Sequence, residues 1–345
     1  VTGKGALVEP QAALERIAFF LERGQAPTYR VRAFRTAARV LAGLPPEEVG
    51  ERAEAGSLES LRGVGPKTAQ VAREALAGRV PGYLAELEAE AAEEPALPVA
   101  AAELRAALRG DCHLHSDWSD GGSPIAEMAA TAKALGHEWA VLTDHSPRLT
   151  IARGLSADRL RAQLDVVAEV NEWLAPFRLL SGIECDILED GSLDQDEELL
   201  ARLDLVVASV HSDLRMPAGR MTRRMVRAVR NPLVDVLGHC TGRLLSGRRR
   251  AESEFDAGEV FAACAASGTA VEINCRPERS DPPRRLLRQA LEAGACFAVD
   301  TDAHAPGQLD WQSGGCVRAA ECGVPAERIV NTLPVDSLLR WTEAG

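Results

Sequence analysis

The 345-residue chain carries 39 Lys and Arg against 51 Asp and Glu, and its net charge of −12 argues against a surface that binds nucleic acid all over. Its hydrophobic content of 46% is enough for a packed core, and its length favours two domains over one. No run reaches the ~18 apolar residues that a membrane span needs, and nothing near the start reads as a leader. A cytoplasmic protein with no membrane partner is expected.

In chain order, the segment from Glu9 to about Glu90 is helical in pattern. PQAALERIAFFLERG places Leu14, Ile17, Ala18 and Leu21 at helical spacing with Gly24 as a stop, and YRVRAFRTAARVLAGLPP repeats the pattern up to Gly43. LESLRGVGPKTAQVAREALAG then reads as a helix, a tight turn at Gly63-Val64-Gly65 and a second helix. Two glycines let such a turn approach a phosphate. Backbone N–H groups at the next helix start, with Lys67 nearby, would bind that phosphate without reading bases. Arg30, Arg32 and Arg35 add positive charge, and residues 1–82 hold 12 Lys and Arg against 9 Asp and Glu. AELEAEAAEEPALPVA, acidic with two prolines, reads as a helix tail and linker. The expected limits are a DNA-binding helical domain at 1–95, a linker at 96–107 and a second domain at 108–345.

From Leu108 onward, β-type runs at 110–115, 139–144, 178–184, 204–210, 233–238, 269–274 and 296–302 alternate with amphipathic helical stretches. Seven β/α units in succession imply a parallel sheet or barrel. The ends of these runs carry the chemistry. His113, His115 and Asp120 follow the first, His145 the second, Glu184 the third, His211 the fourth and His239 the fifth, while Asp302 and His304 close the seventh. The stretches 1–112, 146–210 and 240–303 contain no histidine, so the placement is not incidental. Imidazole and carboxylate suit zinc, manganese or iron, and nine such groups exceed what one ion can use. Two or three divalent ions are therefore expected. Ligands contributed by at least six runs favour a barrel, whose active site gathers at one end, over an open sheet that would spread them.

His137 precedes a strand and is read as structural. The eight cysteines include no C-x-x-C pair and are expected as reduced core residues; strand alternation points Cys112, Cys185, Cys240 and Cys275 away from the site. Arg153, Arg243 and Arg276 follow site strands and are candidates to bind substrate phosphate. Asn274 ends the sixth run and is a candidate to orient a ligand or a water.

Over 108–345 these motifs, H-x-H with S-D-G behind it, then T-D-H, G-I-E, S-V-H, G-H and D-x-D-A-H, resemble the PHP (polymerase and histidinol phosphatase) superfamily. LTDHS, SVHSDLRM, NPLVDVLGHCTGRLL, VEINCRPER and VDTDAHAP are most similar to the C-terminal PHP domain of bacterial family X DNA polymerases. YRVRAFRTAARVL followed by LRGVGPKTA resembles the lyase-type helix-hairpin-helix domain at the start of those polymerases. No nucleotidyl-transfer palm lies between the two parts, so polymerase activity is not expected. Val71 stands where lyase members carry their Schiff-base lysine, which argues against lyase activity.

The resemblance implies a distorted (β/α)7 PHP barrel behind a small all-α domain. It implies that His113, His115, Glu184 and Asp302 hold one metal, and that Glu184 bridges to a second with His145 and His211. Asp120, His239 and His304 would complete the second and third sites. Glu184, His211 and Asp302 would then be central to catalysis. The expected activity is hydrolysis of phosphoesters at DNA ends, of 3′-5′ exonuclease or 3′-phosphatase type, with Gly63, Gly65 and Lys67 on the DNA. A small phosphate ester such as histidinol phosphate is the alternative substrate. A non-catalytic DNA-binding accessory protein is a third reading; it would be expected to lose some of these costly buried polar groups.

Overall fold

A computed structural model describes residues 9–344, and the chain divides into two compact units, Val1–Ala96 and Leu97–Gly345. The first is all helical: α1 (Pro10–Arg23), α2 (Thr28–Ala42), α3 (Pro46–Glu54), α4 (Pro66–Leu76) and α5 (Gly82–Ala92). The apolar stripe of α1 predicted from its spacing, Leu14, Ile17, Ala18 and Leu21, packs with Phe34, Ala37, Ala38 and Leu41 of α2 and Val71 and Ala72 of α4. Arg35, expected at the surface, is instead buried. Its Nε and Nη2 donate to the two carboxylate oxygens of Glu22 at 2.8 and 2.7 Å. Position 35 lies beside Phe34 and Ala38 on the face turned toward α1, so this arginine joins two helices and is not offered to a ligand.

The turn before α4 has the form expected. Gly63 has φ +97°, and a Cβ there would come within 2.7 Å of Thr36 Cγ2. Gly65 caps α4, its N–H donating to Thr68 Oγ1 at 2.9 Å, and a Cβ on it would meet open space. Lys67 is exposed, with its ammonium 3.5 Å from the centroid of the Tyr83 ring, and Arg30 donates to the Tyr83 hydroxyl. Val71 is 2% exposed within the core.

The second unit opens on α6 (Val99–Ala107), which occupies most of the stretch expected as linker. Ala101 and Leu104 are buried in the same cluster as Cys316 and Ala319 of α13 (Gln312–Glu321), so the alanine-rich sequence serves as a packing face. Strands β1 (Gly110–Leu114), β2 (Trp139–Leu142), β3 (Arg178–Asp186), β4 (Leu205–Ser209), β5 (Val236–Leu237), β6 (Ala270–Asn274) and β7 (Phe297–Asp300) lie in sequence order, each parallel to the next. A Leu114–Ala303 bridge and a hydrogen bond from His115 N–H to the Ala303 carbonyl (2.8 Å) link the end of β1 to the segment just after β7. The result is a nearly closed seven-stranded barrel.

Around it run α7 (Ile125–Ala134), α8 (Ala157–Leu174), α9 (Glu197–Leu200), α10 (Ala218–Val229), α11 (Ala257–Ser267) and α12 (Arg284–Glu292), with α14 (Val335–Thr342) at the end. Helix α9 is one turn, because residues 187–196 form a loop with Asp190, Gly191, Asp194 and Asp196 that leaves little chain for a helix. Strand β5 is shorter than its apolar run: Asn231 forms a turn with Leu233, and the Asp235 carboxylate takes the Val206 N–H at 2.7 Å. β3 runs past the predicted end and changes partner midway, pairing with β2 through Ser181 and with β4 from Gly182. A Cβ at Gly182 would stand 2.7 Å from the Leu205 carbonyl oxygen and 2.6 Å from Val141 Cγ1, so only glycine allows both neighbours to approach.

Inside the barrel the two ends differ. Cys112, Val141, Leu180, Val207, Val236, Ala270 and Ala298 form an apolar layer with Leu338 of α14, beside the Trp139 indole, which donates to the Leu333 carbonyl at 3.0 Å. Toward the C-terminal strand ends the same inward positions become His113, Glu184, Glu272 and Asn274. Among the described residues the cysteines are free, all buried but Cys296, and no helix is long and apolar enough to cross a membrane.

Candidate metal centre

All nine predicted ligands converge at the C-terminal end of the barrel. Three sets of donor atoms lie within 4.8 Å of one another: His113, His115 and Glu184; His145, Glu184 and His211; and His115, Asp120, His145 and His304. Glu184, buried on β3, stands at the middle. Its Oε2 is 2.8 Å from His145 Nδ1, 3.4 Å from His113 Nε2 and 3.6 Å from His115 Nε2. Its Oε1 is 2.8 Å from His239 Nε2 and 3.2 Å from His211 Nε2. Asp302 Oδ1 adds a carboxylate 3.3 Å from His115 Nε2, and Asp120 Oδ1 lies 3.2 Å from His304 Nε2 and 3.5 Å from His145 Nε2. Cysteine belongs to none of these sets. Asp302 sits just beyond β7 with φ +51°, a left-handed conformation that a non-glycine residue adopts under constraint from its surroundings. The register of β1 breaks between Asp111 and Leu114, a bulge of the kind that re-aims side chains, here next to His113.

The donors fit metal ions. Buried and without a hydrogen-bond partner among the described residues are His113 Nε2, both ring nitrogens of His115 and of His211, His239 Nδ1 and Glu184 Oε2. So many orphaned donors and acceptors in one cavity would be costly unless cations satisfied them. The charge balance agrees. Burial acts to raise the Glu184 carboxyl, but His211, His145 and His113 outweigh it and hold it well below the usual carboxylate range. Burial likewise opposes ionisation of Asp302, yet Arg276 and His113 keep it ionised. Burial, with His304 and His145 beside it, pushes His115 well below its ordinary value, which leaves a neutral imidazole ready to ligate. His211 is held up at about 9, because Glu184 and Asp186 overcome its burial, so a metal ion there would have to displace its proton. Asp120 and His304 are the more exposed members of the cluster.

Behind these residues lies a supporting layer for which the sequence pattern offers no distinct motif. Glu272 on β6 lies 2.6 Å from His113 Nδ1 and accepts the His239 N–H at 2.5 Å. Asp186, two residues after Glu184, lies 3.5 Å from His211 Nδ1 and accepts the His211 N–H at 3.1 Å. Such carboxylates fix the imidazole tautomer and orientation. Asn274, expected to orient a ligand, donates to Asp302 Oδ2 at 3.1 Å. The signal for Glu272 and Asp186 was present: an acid at an inward position of an otherwise apolar strand.

The three arginines proposed for phosphate are placed differently. Arg153 donates to the Asp117 and Ser119 carbonyls and so holds the loop that carries Asp120. Arg243 is tied to the Arg279 carbonyl (2.9 Å), the Ser280 carbonyl and Glu252. Arg276 alone of the three touches the ligands, through the Asp302 carbonyl (3.0 Å) and His304 Nδ1 (2.8 Å). Arg279, not singled out from sequence, lies 3.4 Å from Asp302 Oδ2, and its Nε and Nη1 are buried without a hydrogen-bond partner among the described residues.

Residues 111–276 match the PHP domain family, and residues 9–80 match a helix-hairpin-helix domain. DNA polymerase/3′-5′ exonuclease PolX of Bacillus subtilis is 38% identical over 224 residues, which are 65% of this chain and 39% of that protein. The chain thus spans about two fifths of that relative's length. A probable phosphatase of Thermoanaerobacter sp. is 30% identical over 205 residues, covering 56% of this chain and 78% of the phosphatase. Among solved structures, histidinol phosphate phosphatase of Lactococcus lactis, complexed with zinc, L-histidinol and phosphate, aligns with a TM-score of 0.48 at 19% identity over 63% of this chain and 94% of its own. By the family match over residues 111–276, and by the 30% identity to a probable phosphatase covered over 78% of its length, the chain belongs to the PHP family of phosphoesterases, with a helix-hairpin-helix domain ahead of the barrel in the sequence.

Proposed function

We propose that the protein is a metal-dependent hydrolase of phosphoesters at DNA ends, releasing 3′ nucleotides or 3′ phosphate, with its helical unit on the DNA backbone. The observation that carries this reading is the union in one chain of a cluster of His, Asp and Glu donors that could hold metal ions and a Gly63-Val64-Gly65 turn whose two glycines are exposed, with exposed Lys67 beside it. Two or three zinc or manganese ions, with iron as a third candidate, would be held by His113, His115 and Asp302, by His145 and His211, and by Asp120 and His304. Glu184 would be shared and His239 would rest against it. Such ions supply an activated water and neutralise phosphoryl oxygens. Glu272 and Asp186 orient His113 and His211, Asn274 orients Asp302, and Arg276 braces Asp302 and His304. Arg279 brings positive charge beside Asp302 toward an incoming phosphate.

A second reading, hydrolysis of a small phosphate ester, is favoured by the acidity of the chain beyond residue 82, with 27 Lys and Arg against 42 Asp and Glu, and by the probable phosphatases among its relatives. One metal-supplemented sample assayed on 3′-labelled single-stranded DNA and on histidinol phosphate separates the two. Faster turnover of the small ester, with the DNA intact, would reverse their order.

A further inference from the structure

Just past His239 the chain forms a hairpin on the catalytic end of the barrel. Leu244 and Arg250 close it, with Leu244 N–H to Arg250 O at 2.9 Å and the return bond at 3.0 Å, and Gly247 turns its tip at φ +64°. Arg248, Arg249 and Arg250 follow one another there. Arg250 is engaged with the Gly242 carbonyl, whereas Arg248 and Arg249 are exposed and have no ion-pair or hydrogen-bond partner for their side chains among the described residues. Several exposed arginines elsewhere on this acidic unit pair with carboxylates, as Arg220 does with Glu189, Arg227 with Asp190 and Arg284 with Glu321, while Arg202 and Arg215 stand singly. Arg248 and Arg249 differ in being adjacent and in standing at the tip of a hairpin that borders a groove.

The hairpin borders an open groove of about 770 Å³. Its apolar side is Leu245, 47% exposed, with Phe255 and Leu286; its basic side is Arg243, Arg250 and Arg285. Of its two carboxylates, Glu252 is neutralised by Arg243 and Arg285, which leaves Glu254. The groove and the metal centre share a wall. Arg243 clasps the Arg279 and Ser280 carbonyls, Leu245 N–H donates to the Glu278 carbonyl at 2.6 Å, and Arg279 of that same loop reaches Asp302.

We propose that this groove is a track for single-stranded DNA, leading the strand to the metal centre with phosphates on Arg248 and Arg249 and base or sugar surfaces against Leu245 and Phe255. An apolar floor with a cationic border is the combination by which single strands are held without sequence preference. A small monoester would end at the ions and leave the track empty. The inference rests on the DNA-end reading and specifies how the barrel unit itself recognises a polymer.

The test uses the full chain and its Arg248→Glu/Arg249→Glu variant, with a 12-nucleotide single strand and p-nitrophenyl phosphate as substrates. The KM for DNA should rise about tenfold, while turnover of the small ester stays within twofold. In equilibrium binding, the slope of log affinity against log salt should flatten by about 1.4, as for two lost single-strand phosphate contacts. Arg248→Gln/Arg249→Gln should show the same flattening with a smaller loss, which guards against misfolding of the reversed-charge variant. Unchanged KM and unchanged slope overturn the track. A wild-type protein that hydrolyses the ester and leaves DNA intact overturns the DNA-end reading instead. The binding titration then still decides the groove, since affinity equal in wild type and variant rejects it.

Discussion

Glu184 shows how much a single position can determine. Five imidazoles approach its two oxygens within 3.6 Å, so removing its charge takes away the carboxylate that all five share. Glu184→Gln and His211→Ala should each lower hydrolysis by more than about 10³-fold with the fold retained, by analogy with loss of a primary electrostatic element. Metal content by elemental analysis should fall from two or three ions per chain toward one. Near-wild-type turnover at full metal content would refute the assignment. Glu272→Gln, which touches His113 from behind, should cost only about 10–100-fold in metal affinity. The candidate ligands were legible as a group because histidine is scarce in this chain and clusters at strand ends. Glu272, Asp186 and Arg279 were not, because a strand acid or a loop arginine has many ordinary uses and only the packed structure shows which ring it faces.

His137 makes a separate statement about stability. It is buried, neither ring nitrogen has a hydrogen-bond partner among the described residues, and burial together with Arg105 holds it down at about 4. The unfolded chain therefore binds a proton between about pH 6.5 and 4 that the folded chain refuses, and stability falls as pH drops through that window. The difference of about 2.5 pH units corresponds to about 3 kcal/mol. In His137→Leu that part of the acid dependence should vanish, as read from denaturant midpoints at pH 7 and pH 4. An unchanged difference between the two pH values would show that the imidazole is solvated.

At the scale of elements, strand identity came through because a buried parallel strand is a short, near-continuous apolar run. Boundaries came through less well. β5 shrank where Asp235 substitutes a side-chain bond for a ladder bond, and β3 lengthened because Gly182 lets it serve two neighbours. The largest misreading was α6, whose proline-flanked alanines suggested linker when Ala101 and Leu104 in fact cover α13. Alanine helices bury little area per residue, so their packing role is weakly written in hydropathy. Leu104 is 8% exposed, and Leu104→Ala should destabilise the barrel unit by about 2–4 kcal/mol through lost contact and an unfilled cavity. Thermal or urea unfolding of the full chain reads this directly, and a loss below about 0.5 kcal/mol would return the segment to the status of a tether.

For the whole molecule, the division of labour proposed for the two units rests on charge as well as shape. The helical unit presents cations that do not serve its core: Arg35 is consumed by Glu22, but Lys67 remains exposed beside the Gly65 cap of α4. Its ammonium lies over Tyr83, an arrangement worth about 0.5–1 kcal/mol at an exposed site, so Lys67→Ala should leave the unit folded. If Lys67 neutralises one phosphate, its removal should flatten the salt dependence of duplex DNA binding by about 0.9 in the log–log slope, equally for every DNA sequence. Hydrolysis of a small ester should be unchanged, because such a substrate has no polymer backbone for Lys67 to neutralise. The measurement is a binding titration of wild type and variant across a salt series with two unrelated duplexes. A slope that does not move would make the helical unit a packing module, and the burden of DNA recognition would then fall on the barrel alone.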